Sequence, residues 1–409
     1  MNSKIRWKIS FSLITSILWI SSFAIAGNPG QAYYNMDNTD LFWFMVISDT
    51  HIGRPLTDAD REHLTTLLTQ DRMTINPKFI VHAGDSTDHL WCNPVSGGWP
   101  CDHLEQWREY RKIVVKCAGM NIEIYSDAPG NHDQYWESDP LTLYLGNSVQ
   151  GKAVKQTQRS WVYTHSPGSR KYHFINAATP HPEYHNAVKD GLNGCPGQLD
   201  ETELSFIREA LEKYSDANLS FVFGHHPIVN LLADQVQFVD LLNRYKVSVY
   251  SYGHTHSYSS SSRTEGGTLL LNASSLWEHD QYALVVVDND GVSVTPAVRG
   301  EWPIVLITSP IDKNLGGSNP YAYAIPSSAK NTIRALVFDE NPVTAVQYRI
   351  DGGQWYQMTK IRCVGGPHSY LWETNEWDTT SLSPGSHSVE VQALGSTTKL
   401  NTILCEMIP

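Results

Sequence analysis

The chain has 409 residues, of which 41% are hydrophobic and 18% are charged. This is the composition of an ordinary globular protein; it excludes a collagen-like or fully disordered chain, and the length favours two domains. The 42 acidic side chains outnumber the 30 basic ones, which gives a formal net charge of -12. A protein that neutralises the phosphates of duplex DNA or RNA usually has the opposite balance, so we expect no duplex nucleic acid partner.

Residues 1–26 are typical of a secretory signal peptide. Lys4, Arg6 and Lys8 precede an apolar run that closes on an A-x-A triplet ending at Ala26. Cleavage there removes three basic residues and leaves 27 basic against 42 acidic side chains, a net charge of -15. The alternative is an uncleaved membrane anchor. We therefore expect a secreted or periplasmic protein, with no transmembrane span once the signal peptide is removed.

Export permits disulfides, and the six cysteines are even in number. Cys92 and Cys101 bracket the short loop CNPVSGGWPC, which favours a local disulfide between them. Cys363 and Cys405 both lie near the carboxyl terminus, and a second disulfide between them could close that region. No C-x-x-C spacing is present, so the cysteines are interpreted as structural rather than as zinc or redox ligands.

Short apolar runs alternate with amphipathic stretches from residue 41 to about residue 296, which is typical of β-α units around an internal sheet. Capping boxes predict the starts of two helices, because Thr57 stands three residues before Asp60 and Asp200 three before Glu203. Further helices are predicted over residues 104–120 and 235–245. The predicted strands are, in chain order, LFWFMVIS, KFIVHA, NIEIYS, YHFIN, SFVFG, VSVYSYG, TLLLNAS and YALVVVD.

Helical periodicity disappears after Glu301, where short apolar runs separated by turns predict an all-β module. Asp351 to Gly353 predict a hairpin turn, and residues 312–328, rich in Gly, Pro, Ser and Tyr, are predicted to form a loop. The predicted strands are IRALVFD, VTAVQYRI, QWYQM, HSYLWET and HSVEVQAL. The predicted divisions of the chain are a signal peptide (1–26), an α/β domain (27–300) and a small β-sandwich (301–409).

Five short polar motifs lie where predicted strands give way to loops. Ligands of open α/β sheets bind at the carboxyl ends of strands, so these loops can converge on one rim. Glycine stands beside the polar groups of every motif but the first, which allows sharp turns and close approach. The motifs are, in order, Asp49-Thr50-His51, Gly84-Asp85-Ser86-Thr87-Asp88, Gly130-Asn131-His132-Asp133, Gly224-His225-His226-Pro227 and Gly253-His254-Thr255-His256.

Carboxylates, an amide and several imidazoles on one rim suit a pair of divalent cations that accept oxygen and nitrogen ligands. A catalytic ion keeps one coordination position open for water or substrate. A carboxylate that bridges two ions about 3.5 to 4 Å apart brings both to one solvent molecule, whose pKa falls toward neutrality. The motifs therefore predict a hydrolytic centre with two divalent metal ions, which can be Mn, Fe or Zn.

The ordered set D-x-H, GDxxD, GNHD, H-x-P and GHxH resembles the calcineurin-like metallophosphoesterase family, over roughly residues 42–298. The resemblance implies an α/β four-layer sandwich of two mixed sheets flanked by helices. The runs QWREY, YSDAPGNHD, SVQG and PIVLITSP are similar to a transmembrane metallophosphoesterase group that carries an immunoglobulin-like module, so an immunoglobulin-like sandwich is expected here. The carboxyl-terminal membrane spans of that group are lacking, so membrane embedding is not expected.

By position, the resemblance implies seven metal ligands and two further catalytic residues. His132 would face the leaving oxygen, and Asp88 would orient His132. The family places its ligand two residues before the proline, which selects His225 and leaves His226 packed or hydrogen-bonded nearby. The implied ligands are Asp49, His51, Asp85 and His256 for one metal, with Asp85 bridging, and Asn131, His225 and His254 for the other.

The resemblance also implies hydrolysis of a phosphate ester by a metal-bridging hydroxide. The D-x-H form of the first motif is similar to the phosphodiesterase side of the family, which favours a phosphodiester over a monoester. The expected partner is a phosphate-ester small molecule or a lipid head group. Asp88 stands where purple acid phosphatases have the tyrosine of GDxxY, so no ferric-tyrosinate site is expected.

A second class of function is a secreted binding or adhesion protein on a phosphoesterase fold, with the β-module as its interaction surface. Every implied ligand position holds a suitable side chain, which favours the enzyme. Neighbouring residues leave alternatives open. Asp133 either supports a metal ligand or caps a helix, and Tyr135 and Trp136 either pack against the protein or stack on the substrate.

Overall fold

The computed structural model describes residues 40–54, 58–89, 102–165, 170–185, 196–232, 234–374 and 376–409. The predicted signal peptide and the predicted disulfide between Cys92 and Cys101 lie outside these residues. None of the helices formed by these residues combines the length and the apolar character that a membrane span requires.

Two mixed sheets form the first part of the chain, with strand orders β11-β10-β1-β2-β3 and β4-β5-β6-β7-β9-β8. The strands are β1 (Leu41–Ile47), β2 (Ile80–Ala83), β3 (Tyr125–Ala128), β4 (Arg159–His165), β5 (Arg170–Asn176), β6 (Leu219–Phe223), β7 (Val249–Tyr252), β8 (Tyr258–Arg263), β9 (Leu269–Ala273), β10 (Gln281–Asp288) and β11 (Gly291–Val298). Strands β1, β2 and β3 run parallel, as do β5, β6, β7 and β9. Loops that follow these strands therefore emerge at common sheet edges.

Helices cover the outer faces of both sheets. The capping box at Asp200 is formed, with reciprocal hydrogen bonds between Asp200 and Glu203. Near Thr57, which is not described, the first helix instead has Asp58 as its N-cap without a side-chain hydrogen bond. The α-helices are α1 (Ala59–Thr66), α2 (Arg72–Ile75), α3 (His103–Arg111), α4 (Thr142–Asn147), α5 (Val149–Val154), α6 (Glu201–Lys213), α7 (Gln235–Arg244) and α8 (Leu276–His279). A π-helix over Leu67–Asp71 joins α1 to α2, and another over Lys112–Cys117 continues α3.

Alternation along β1 shows how the layers are built. Phe42, Phe44 and Val46 are buried in the core between the two sheets. Trp43 and Met45 point the other way, into a core shared with the helices of the first sheet. A separate cluster packs α6 and α7 against the outer face of the second sheet. The result is the expected order of helix, sheet, sheet and helix.

In the α/β part of the chain, the strands that the sequence did not predict are edge strands. β4, β8 and β11 each end a sheet, and their side chains are only partly buried. An edge strand needs no continuous apolar run, and the Ser-rich β8 has none. β3 also begins later than predicted, because Ile124 and Tyr125 donate backbone hydrogen bonds to Asn121 in a turn.

An all-β module follows, made of two packed sheets with strand orders β12-β14-β18-β17 and β13-β20-β19-β15-β16. Asp351 and Gly352 have positive φ in the predicted hairpin turn between β15 and β16. The predicted loop contains one short strand, β13. The strands are β12 (Ile304–Ser309), β13 (Ala324–Pro326), β14 (Arg334–Phe338), β15 (Ala345–Ile350), β16 (Tyr356–Gln357), β17 (Thr359–Cys363), β18 (Tyr370–Glu373), β19 (Gly385–Leu394) and β20 (Thr398–Ile408).

The second disulfide considered from the sequence, between Cys363 and Cys405, is wrong. Both thiols are free; Cys363 is exposed on β17, whereas Cys405 is buried on β20. These strands belong to different sheets of the module. Proximity along the sequence could not show that the two side chains face different environments.

The module packs directly on the α/β part through one continuous core. Trp43 of β1 lies 5.7 Å from the ring of Phe338 on β14. Buried Arg334 makes two hydrogen bonds to Asp288, at 2.9 and 3.0 Å, and Thr308 donates to the same carboxylate at 2.7 Å. This buried pair joins β14 to the end of β10.

Candidate metal centre

Five loops that follow β1, β2, β3, β6 and β7 are tied together by hydrogen bonds. The backbone N–H of Asp49 donates to the carbonyl of Gly84 at 3.0 Å. The backbone N–H of His254 donates to Asp49 Oδ2 at 3.0 Å, which links the first sheet to the second. The backbone N–H of His132 donates to Asp85 Oδ1 at 2.8 Å. The predicted convergence of the loops is therefore a property of their backbones as well as of their side chains.

The backbone is strained at most of the predicted ligands. A non-glycine residue with positive φ is uncommon and is held there only by its surroundings, often at a functional site. The predicted ligands in this conformation are Asp49, His51, Asp85, His254 and His256, with φ values of 52°, 46°, 55°, 67° and 55°.

Two glycines make room for the buried carboxylates. A Cβ atom on Gly130 would lie 2.1 Å from the backbone nitrogen of Asp85. A Cβ atom on Gly253 would lie 2.3 Å from Asp49 Oδ2. Any larger residue would displace the acid beside it, so glycine in these motifs is a packing requirement.

One group of potential ligands is Asp49, His51 and His256, whose donor atoms all lie within 4.8 Å of one another. His256 Nε2 is 3.2 Å from Asp49 Oδ1 and 3.2 Å from His51 Nε2. The other ring nitrogen of His256 contacts Glu278 Oε2 at 2.7 Å. A carboxylate on the far nitrogen fixes the orientation of a metal-binding imidazole.

A second group contains Asp49, Asp85 and His225. Asp85 Oδ2 lies 3.1 Å from His225 Nε2 and 3.9 Å from His51 Nε2, so it stands between the two predicted sites. The opposite nitrogen of His225 is 2.8 Å from the carbonyl of Ala83.

The amide ligand completes this side of the cluster. Asn131 Oδ1 is 3.0 Å from His254 Nδ1, and Asn131 Nδ2 donates to the hydroxyl of Tyr135 at 2.7 Å. All seven sequence-predicted ligands are thus brought together. Tyr135 is buried, which agrees with the packing interpretation, and its hydroxyl also holds Asn131.

His226 also belongs to the cluster, within 4.8 Å of donor atoms on His225 and His254. Its Nδ1 lies 2.9 Å from the hydroxyl of Thr179. This hydrogen bond matches the expectation that His226 is held nearby. Its position also makes His226 a potential ligand that the motif alone did not select.

His132 and Asp88 form a pair beside the cluster. His132 Nδ1 is 3.0 Å from Asp88 Oδ1, and His132 Nε2 is 4.0 Å from Asp85 Oδ2. The His132 side chain is 14% exposed, whereas Asp88 is fully buried. Asp88 is therefore placed to orient the ring of His132 toward the open side of the cluster.

Asp133 has a different role from either predicted one. Its carboxylate accepts hydrogen bonds from the backbone N–H groups of Thr87 at 2.9 Å and Gly130 at 2.8 Å. It therefore braces the loops after β2 and β3 against each other. Asp133 neither touches a predicted ligand side chain nor caps a helix in these contacts.

Buried carboxylates in the cluster are balanced by protonated imidazoles. Burial would raise the pKa of Asp49, but the hydrogen bond from His256 and the charge of His225 lower it to about 2. Burial would lower the pKa of His225, but the charge of Asp85 raises it to about 9. Burial and neighbouring positive charge lower the pKa of His51 to about 3, which keeps it in the neutral form that binds metals.

The donor set fits divalent metal ions. Histidine nitrogens and aspartate oxygens are ligands for Mn, Fe and Zn. His225 Nε2 is buried and makes no well-directed hydrogen bond within the described part of the chain, although Asp85 faces it. Buried negative charge needs compensating positive charge, which a divalent cation supplies as well as protons do.

Three further residues at the site were not found from the sequence. Glu278 contacts His256, and Trp277 lies with its ring 6.1 Å from the ring of His51. Arg54 packs on Trp277 and faces Asp88. Arg54 follows the first motif by three residues and could have been suspected from that, but α8 carries no motif.

A four-layer sandwich that gathers carboxylates, an amide and imidazoles at the carboxyl ends of strands from both sheets is the arrangement of the metallophosphoesterase class. The family described as calcineurin-like phosphoesterase matches residues 42–258. The chain belongs to this family.

Two curated proteins are similar in sequence to this chain. Transmembrane protein 62 of Mus musculus is 26% identical over 359 residues, which cover 86% of this chain and 53% of that protein. A protein of Arabidopsis thaliana, whose name assigns it provisionally to the metallophosphoesterases, is 25% identical over 275 residues, covering 61% of this chain and 35% of that protein. The chain thus spans about half the length of the first relative and about a third of the second.

Among solved structures, GAP50 of Plasmodium, described as the anchor in the inner membrane complex, is 11% identical. The match covers 64% of this chain and 85% of that chain, with a TM-score of 0.41.

Proposed function

We propose that the chain is an exported phosphoester hydrolase that uses two divalent metal ions, with phosphodiesters favoured over monoesters. The observation that carries this proposal is the position of Asp85 Oδ2, between His225 at 3.1 Å and His51 at 3.9 Å. A shared carboxylate between two sets of imidazoles is the arrangement that a dinuclear centre needs.

The proposed ligands divide as the motifs imply. Bound there, the cations would withdraw charge from the phosphoryl oxygens and lower the pKa of a coordinated water. These side chains lie on strained loops that are joined by hydrogen bonds. Their positions are therefore set before a metal or substrate binds. The two sets are Asp49, His51, Asp85 and His256, and Asn131, His225 and His254.

His132 is the proposed proton donor to the leaving oxygen. Asp88 accepts a hydrogen bond from the Nδ1–H of His132 and stabilises the protonated ring, so Nε2 can donate toward the substrate. Burial would lower the pKa of His132, but the charges of Asp85 and Asp88 raise it. General acid catalysis of this kind contributes about 10² to 10⁴ in rate.

The preference for phosphodiesters and the export of the chain rest on the sequence. The D-x-H form of the first motif supports the former, and the leader over residues 1–26 supports the latter. A phosphate-ester small molecule and a lipid head group both present the phosphate that the site needs, and Mn, Fe or Zn would suit the ligands.

The test compares the purified parent with two variants, Asp85→Asn and His132→Ala. We expect the parent to hydrolyse p-nitrophenyl phosphate and bis-p-nitrophenyl phosphate with added Mn²⁺, and to stop when a chelator is added. Asp85→Asn should lose both metal and turnover, because it removes the shared charge. His132→Ala should keep its metal and lose about 10² to 10⁴ in rate.

Elemental analysis measures the metal content of each variant, and steady-state kinetics measure its turnover. Asp240→Asn, a change on α7 away from the site, is the matched control. Full metal content and full activity in Asp85→Asn would contradict the bridging role. Absence of chelator-sensitive hydrolysis in the parent would instead favour a binding or adhesion protein.

A further inference from the structure

Arg54 is carried to the edge of the metal centre by a tight turn. Its backbone N–H donates to the carbonyl of His51 at 3.1 Å, which closes the turn. Gly53, at the bend with a φ of 98°, donates its own N–H to Asp60 Oδ2 at 2.7 Å. Gln106 fills the space where a Cβ of Gly53 would lie, 2.4 Å away. The position of Arg54 relative to His51 is therefore fixed by the backbone.

The guanidinium group of Arg54 is held over an aromatic ring. Its Cζ lies 3.8 Å from the ring centroid of Trp277, and its Nη1 lies 3.7 Å from Asp88 Oδ2. The ring of Trp277 is in turn 6.1 Å from the ring of His51 and 6.5 Å from that of His256. The side chain of Arg54 is 23% exposed, so it borders both the predicted ligands and the solvent.

A guanidinium in this position suits a phosphate. Its planar N–H groups match two oxygens of a phosphate at once, and charge-assisted hydrogen bonds of this kind are strong. Stacking on Trp277 restricts the side chain to one orientation, which reduces the entropy lost on binding.

We propose that Arg54, oriented by Trp277, is a substrate-binding residue that contacts a nonbridging oxygen of the substrate's phosphate. This inference rests on the proposed phosphoesterase function and adds a specificity residue to it. A fixed positive charge stabilises a doubly charged phosphate more than a singly charged one. Removal of Arg54 should therefore lower kcat/KM for monoesters more than for diesters, whichever of the two substrates the parent prefers.

The test is Arg54→Met, with Arg208→Met on the exposed face of α6 as the matched loss of one positive charge. We expect Arg54→Met to lower kcat/KM for p-nitrophenyl phosphate by about 10- to 100-fold and to lower it less for bis-p-nitrophenyl phosphate. Calorimetric affinity of the metal-loaded protein for inorganic phosphate should fall as well. Metal content and the response to chelator should stay at the parent's level, as should all values of Arg208→Met.

Arg54→Lys and Trp277→Leu separate charge from orientation. Both keep a positive charge, so each should lose less than Arg54→Met and still lose more on the monoester. If the circular dichroism spectrum shows that Arg54→Met is not folded, the test uses Trp277→Leu instead. It is judged by the same ratio, the loss of kcat/KM on the monoester relative to the loss on the diester.

Equal losses on both substrates, with unchanged phosphate affinity, would overturn the proposal and show that Arg54 only balances the charge of Asp88. The proposed hydrolase would still stand in that case. If the parent shows no chelator-sensitive hydrolysis, the proposed function fails, and phosphate affinity alone decides whether Arg54 binds the anion.

Discussion

At the residue scale, the two carboxylates at the centre of the site depend on the absence of side chains next to them. Gly130→Ala would place a methyl group 2.1 Å from the backbone nitrogen of Asp85. We expect this variant to lose metal and activity, because Asp85 must move. Gly146→Ala on α4 is the control, since nothing lies within 4 Å of the place that its methyl group would take. Elemental analysis with thermal melting measures both, and normal metal content in Gly130→Ala would contradict the packing requirement.

The sequence predicted which side chains cluster at this scale, because each lies within a short motif next to a strand. It did not predict their supports. Glu278 is separated from His256 by 22 residues, and Thr179 from His226 by 47, so only the folded chain brings them together. The motif selected His225 over His226, whereas the folded chain brings both rings into the cluster.

At the element scale, the sequence predicted the strands with a long apolar run in the α/β part but missed the edge strands β4, β8 and β11 there. In the β-module it missed β12, β13, β17 and β20. β1 and β10 are buried along nearly their whole length and read as continuous apolar runs. β8 has no apolar run because much of it faces solvent. The pattern of apolar residues in a sequence indicates which side chains are buried, so a half-exposed strand shows only a weak pattern.

The capping box of α6 allows a test of how much one N-cap residue contributes to the stability of the protein. Asp200 accepts hydrogen bonds from the backbone N–H groups of Thr202 at 2.6 Å and Glu203 at 3.3 Å. Asp200→Ala should lower the free energy of unfolding by about 1 kcal/mol. Glu209→Ala, an exposed change within the same helix, should change it by less than about 0.5 kcal/mol. Urea unfolding measures both, and equal values for the two variants would argue against the cap.

At the scale of the whole molecule, the β-module and the α/β part share one core, so the boundary predicted near residue 300 is a packed joint. Asp71 lies at this joint, where it accepts a hydrogen bond from the backbone N–H of Gly300 at 3.0 Å. Burial, aided by the charge of Glu340, raises the pKa of Asp71 to about 6. The folded state therefore binds this proton more tightly than the unfolded state does.

The raised pKa of Asp71 determines how the stability of the protein changes with pH. The contribution of Asp71 to stability is fully present below the ordinary aspartate pKa and is lost as pH rises through about 6. Asp71→Asn should match the parent in stability near pH 4 and be more stable above pH 7, because the amide stays neutral. Urea unfolding across this pH range checks it, with Asp240→Asn as control. An unchanged difference at every pH would refute the assignment.

The pairing of β1 has a consequence for the order in which the chain can fold during synthesis. β1 is bonded on one side to β2 but on the other to β10, which ends at Asp288. Before that residue has been made, β1 cannot complete its pairing, and a strand with one open edge is prone to association. The sheet that carries the first three motifs is thus completed late, although the side chains of all five motifs are translated before Asp288.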